Sequence, residues 1–99
     1  MNRVLQFLNV SGTQIGDTGL EVIGRGLKHN SSLVSLDVSN NMIKSAKQLC
    51  QVLHLTGLQD LNLANNLIED KQLEDFNAVL RKNSDTMSSH LQRLDLSAN

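Results

Sequence analysis

The sequence predicts an α/β solenoid built from strand–helix repeats. Three observations carry that expectation. One template, Leu-x-x-Leu-x-Leu-x-x-Asn-x-Leu, recurs four times; short alternating segments carry it; and an amphipathic helical pattern follows the alternating segments. The copies start at Leu5, Leu33, Leu58 and Leu91, at intervals of 28, 25 and 33 residues. The chain of 99 residues has room for three repeats and the strand of a fourth, treated as a single domain over 1–99.

Each slot of the template has a physical reason. In the first copy the fixed positions hold Leu5, Leu8, Val10, Thr13 and Ile15; in the second, Leu33, Leu36, Val38, Asn41 and Ile43. The third holds Leu58, Leu61, Leu63, Asn66 and Ile68, and the fourth Leu91, Leu94, Leu96 and Asn99. Alternation through Leu36, Asp37 and Val38 is a strand signature, with the two apolar residues inward and Asp37 outward. The Asn is expected inside. Its amide both donates and accepts, so it can satisfy backbone groups left unpaired where strand becomes loop. Thr13, Asn41, Asn66 and Asn99 should therefore form a ladder, with Thr13 the weakest rung because a hydroxyl lacks the second donor.

Helices are expected between the strands. Leu20, Ile23 and Leu27 lie on one helical face after the first strand, and Leu73, Phe76 and Leu80 repeat that spacing after the third. Asp17 and Asp70 fall near the starts of these helices, where a negative charge suits the dipole, and Asn30 and Asn83 follow them as terminators. The second repeat is shorter, and Leu49, Val52 and Leu53 predict a short helix ending near Gly57. The polar stretch Asp85–Ser89 reads as a surface loop inserted in the third repeat.

Composition narrows the function classes. A net charge of -1 with interspersed signs argues against a nucleic-acid or anionic-membrane surface, and no apolar run is long enough to span a bilayer. Neither is a signal peptide visible in the first thirty residues. Cys50 is alone, whereas small secreted domains carry disulfides in pairs, so a cytoplasmic, intracellular setting is expected. Two Asn-x-Ser sequons, at Asn9 and Asn30, point the other way but are short enough to arise by chance. His29, His54 and His90 stand apart, without metal-ligand spacing, and no cofactor or metal is expected. Cys50 sits in an apolar helical context that suits core packing better than nucleophilic chemistry. Gly24 and Gly26 fall inside a helical pattern rather than in a phosphate-binding loop, and Glu69, Asp70, Glu74 and Asp75, diluted by Lys71, read as a solvated face.

The stretches IGDTGLEVIGRGLKHNSSLVSLDVSNN and LQDLNLANNLIEDKQLEDF resemble leucine-rich repeats of the ribonuclease-inhibitor-like class. The resemblance covers essentially the whole chain. It implies a right-handed β/α horseshoe segment, with a parallel sheet on the concave side, helices on the convex side, and partner recognition by exposed strand residues. Members of the class include ribonuclease inhibitors, NOD-like receptors, Ran-type GTPase-activating proteins and regulators of actin assembly. The present chain departs from ribonuclease inhibitor in having one Cys and neither Trp nor Tyr, and in its irregular repeat spacing.

On that template the concave face carries Phe7, Asn9 and Ser11, then Ser35, Asp37 and Ser39, then Asp60, Asn62 and Ala64, and finally Arg93, Asp95 and Ser97. The candidate partner-binding residues are Phe7, Asn9, Ser35, Asp37, Asp60, Asn62, Arg93 and Asp95. The row Asn9, Asp37, Asn62, Asp95 is a slightly acidic strip suited to Lys or Arg of a partner, or simply polar filler that keeps the sheet soluble. Its two Asp, two strands apart, stand about 10 Å from one another, too far to share a proton. The leading functional expectation is a non-enzymatic scaffold that binds another protein. The alternatives are a structural spacer in a larger receptor or cytoskeletal regulator, or a Ran-type activator. The latter needs a loop arginine, a role that Arg3, Arg25, Arg81 and Arg93 cannot be given from spacing. Solenoid ends need polar caps, none is visible, and a fragment of a longer solenoid able to self-associate through uncapped ends is expected.

Overall fold

A computed structural model describes residues 5–27, 29, 32–52, 56–76, 78 and 91–99. Its elements in chain order are β1 (Phe7–Asn9), α1 (Gly16–Leu27), β2 (Ser35–Asp37), α2 (Lys47–Val52), β3 (Asp60–Asn62) and β4 (Arg93–Asp95). Residues 70–76 are also helical, between β3 and β4. The strands form one parallel sheet in sequence order, β1-β2-β3-β4. This is a parallel β/α solenoid, the architecture expected from the repeat.

Register follows the template without a slip. Phe7, Ser35, Asp60 and Arg93 pair across the sheet, as do Leu8, Leu36, Leu61 and Leu94, and then Asn9, Asp37, Asn62 and Asp95. Each strand is only three residues long, yet the parallel bonding runs on into the turns. Val10 N donates to Asp37 O and Gly12 N to Ser39 O; Val38 N and Asn40 N repeat this onto Asn62 O and Ala64 O.

The core is aliphatic apart from Phe76. Leu36, Val38, Leu61 and Leu63 point inward from the sheet, and Ile43, Ile68, Leu20, Leu27, Leu49 and Phe76 meet them from loops and helices. Helix α1 exists because Leu20, Ile23 and Leu27 share one face; Leu20 and Leu27 are buried and Ile23 packs at the margin. Gly24 is buried on the same side, where a Cβ would meet Gln48 and the Leu49 backbone at 3.7–3.9 Å, ordinary contact distances. Helix α2 is short, as the 25-residue repeat predicts, and Leu49 is its buried anchor. The side chains of Cys50 and Val52, together with Leu53, Leu80, the terminators Asn30 and Asn83, and the Asp85–Ser89 stretch, lie outside the described residues.

Two expectations need correction. Ser39 and Ala64, assigned to the exposed concave face, are buried, because their turns are flanked on both sides by neighbouring turns. Ser11 and Ser97, at equivalent positions in the outer turns, are half-buried and exposed. Asp17 does more than face a helix dipole: its Oδ1 accepts from the backbone N–H of Lys44 and Ser45, at 2.6 and 3.1 Å, tying α1 to the next repeat. From the other side Gln72 Oε1 accepts from Ala46 N, and its Nε2 donates to Ser45 Oγ. The segment leading into α2 is thus held by both neighbours.

Candidate functional site

The ladder supports the concave face from behind. Asn41 is fully buried, its Nδ2 donating to Val10 O, Val38 O and Ser39 O at 2.9–3.0 Å. Its Oδ1 accepts from Thr13 N at 2.9 Å and Ile15 N at 3.3 Å. Asn66 repeats the arrangement one turn on, donating to Val38 O, Leu63 O and Ala64 O and accepting from Asn41 N and Ile43 N. Asn99 donates to Leu63 O, Leu96 O and Ser97 O and accepts from Ile68 N. Each amide therefore closes its own turn and also pins the turn before it. Thr13 donates its hydroxyl to Val10 O at 2.6 Å, which closes its own turn, and stands 3.3 Å from Asn41 Oδ1 of the next.

Backbone geometry explains how these side chains turn inward. The residue before each rung is left-handed: Gly12 (φ 69°), Asn40 (57°), Asn65 (55°) and Ala98 (55°). Glycine and asparagine enter this region at little cost, whereas Ala98 sits there at roughly 1 kcal/mol or more. The recurring small or amide residue ahead of the rung is a sequence signal that the repeat template leaves unspecified.

On the concave side, Phe7 is 68% exposed at one corner, and Arg93 is exposed at the opposite end of the same row. Arg93 Nε lies 3.5 Å from Asp60 Oδ1, an exposed ion pair between β3 and β4 of small energetic weight. Ser35, Asp37, Asp60, Asn62, Arg93 and Asp95 line an open concavity of about 530 Å³.

The second row has a structural role that sequence reasoning missed. The Oδ1 atoms of Asn9, Asp37, Asn62 and Asp95 each accept from the backbone N–H two residues on, at 2.9–3.0 Å. These four Asx turns lead the chain out of each strand. Where a carboxylate occupies the slot, a serine two residues on adds its hydroxyl: Ser39 Oγ to Asp37 and Ser97 Oγ to Asp95, both at 2.6 Å. The Asp-x-Ser spacing was readable in the sequence, but alternation alone marks these side chains only as outward. Hydrogen bonds from the Ser97 hydroxyl and then its backbone N–H hold Asp95 below its ordinary pKa of 3.8.

Other sequence candidates are placed without acquiring chemistry. Glu69, Asp70, Lys71, Glu74 and Asp75 are all exposed, and so is His29; His54 and His90 lie outside the described residues. Among the described residues no group of three or more His, Cys, Asp or Glu is arranged to hold a metal. No described helix is long and apolar enough to cross a membrane. Arg25 pairs with Glu21 at 2.6 Å one turn away on α1, while Arg3 and Arg81 are outside the described residues.

A repeated β-turn-α unit, an in-register parallel sheet and a buried amide ladder together define a repeat protein of the β/α solenoid class. Comparison with family models agrees: the Leucine Rich repeat model matches residues 2–24 and 29–46, the first two repeats. These two matches support a leucine-rich-repeat protein, with the ribonuclease-inhibitor-like class a compatible subtype. No curated protein matches the sequence. Leucine-rich repeats generally mediate protein–protein interaction and generally act as non-enzymatic scaffolds.

Proposed function

We propose that this chain is a protein-interaction scaffold whose concave sheet face contacts a partner protein, in an intracellular setting suggested by the solitary Cys50. The observation that carries the reading is the pair of in-register rows on a sheet braced by the ladder: Phe7, Ser35, Asp60, Arg93 beside Asn9, Asp37, Asn62, Asp95. A surface held this firmly loses little conformational entropy on binding. Phe7 and Arg93 are the anchors, since aromatic and arginine side chains dominate binding energetics at interfaces. Asp37, Asp60 and Asp95 favour basic groups on the partner.

A spacer role has one observation in its favour: the Oδ1 atoms of the second row are already committed to Asx turns. Photo-cross-linking separates the two readings. A cross-linking residue placed at Ser35 or Asp60 in the full-length parent is expected to trap a partner, and Phe7→Ala with Arg93→Ala is expected to reduce that yield at least tenfold. Adducts only from Val22, exposed on α1, would move binding to the convex side; no adduct from either face would favour the spacer.

A further inference from the structure

The rim beyond the carboxyl ends of the strands carries an apolar pair that the concave-face reading leaves unused. Met42 and Leu67 directly follow the ladder residues Asn41 and Asn66, and they are 63% and 51% exposed. In both turns exposure alternates: Met42 out, Ile43 in, Lys44 out; then Leu67 out, Ile68 in, Glu69 out. Leu67 N donates to Ile43 O at 2.7 Å, which sets the two turns side by side. Met42 is also left-handed, at φ 59°, an unfavourable backbone for a bulky side chain. The rim thus holds two adjacent large apolar groups in the open, one on a strained backbone and both on turns fastened by the ladder. Lys44 and Glu69 flank them, and neither belongs to an ion pair among the described residues.

This pattern is self-complementary. A two-fold axis running from the concave to the convex side, between the second and third turns, exchanges the positions of those turns. It places Met42 against Leu67 of a second copy and Lys44 against Glu69 of that copy, each contact occurring twice. We infer that this rim is a self-association surface, on which a second copy of the chain docks antiparallel through Met42 and Leu67 with two crossed Lys44–Glu69 ion pairs. Two apolar side chains and two charges per copy make a smaller contact than the roughly 800 Å² per partner of a stable complex, so the dimer is weak and reversible. The surface is distinct from the concave face and from the outer edges of β1 and β4.

Sedimentation velocity from about 10 µM to 1 mM tests the inference, with circular dichroism confirming that each variant folds. The wild-type chain is expected to sediment faster as concentration rises, and Met42→Lys or Leu67→Lys to remain monomeric. Lys44→Glu and Glu69→Lys each place like charges opposite one another in a homodimer, so each alone is expected to stay monomeric. Their equimolar mixture restores both crossed pairs and is expected to associate, a result that pairing within one chain cannot produce. A wild-type chain that stays monomeric throughout overturns the proposal. So does association that survives the lysine substitutions, which would belong to the strand edges or the concave face. A mixture no more associated than its two components overturns it as well.

Discussion

The first and second turns of the solenoid follow the same template and are held differently. Asn41 is buried and its amide bonds the backbone of two turns, whereas Thr13 is exposed and its hydroxyl bonds the backbone of its own turn only. Even so, the first turn is not loose, because Asn41 reaches back to Thr13 N, Ile15 N and Val10 O. The amide ladder is directional: each rung secures the turn before it. Thr13 supplies no second donor, and the amide of Asn41 makes up for it by reaching back into the first turn.

Breaking the second rung should have the largest effect. Asn41→Leu leaves the backbone N–H groups of Thr13 and Ile15 without their acceptor and takes one of two donors from each of three carbonyls, and a loss of about 3 kcal/mol is expected in urea denaturation. Hydrogen exchange should then rise at Thr13 and Ile15 more than at Leu67 and Ile68; equal rises would show that the ladder has no direction. Leu36→Ala, a cavity beneath the sheet, is expected to cost about 3 kcal/mol without that asymmetry. At the first rung, Thr13→Val removes the hydroxyl's short bond to Val10 O and its longer one to Asn41 Oδ1 and should cost about 1 kcal/mol, with no change in exchange at Ile43.

The concave row gives smaller effects. From outward orientation alone, Asp37→Ala would be expected to cost almost nothing. With Ser39 N and Oγ both donating to Asp37, about 1 kcal/mol is expected instead, measured by the same denaturation. Asp95 gives the subtlest readout. Its folded pKa is depressed, so its contribution to stability is present above the unfolded value and is lost as pH falls through the folded one. An NMR titration should place its carboxyl below 3.8, and Ser97→Ala should move it upward. An unchanged midpoint would remove the hydroxyl from the explanation.

Much of this was legible before any coordinates. Inward Leu36, Val38, Leu61 and Leu63 follow from alternation, and the ladder slots follow from the repeat, because both are set by the short-range periodicity of a strand and its turn. The concave rows were legible too, since a shared template makes equivalent residues neighbours in register. The second row's Asx turns were not, because alternation records which face a side chain takes and says nothing of what its oxygen bonds.

What the sequence determined by itself was the repeating unit: which residues face the core, which amide closes each turn, and that α2 would be short. Contacts between units were decided only by tertiary structure. Asp17 reaching Lys44 and Ser45, Gln72 reaching Ser45 and Ala46, the burial of Ser39 and Ala64, and the exposure of Met42 beside Leu67 all depend on how one repeat is placed against the next. A local period prescribes the conformation of a unit, whereas the angle and offset at which irregular units stack come from packing around the whole core.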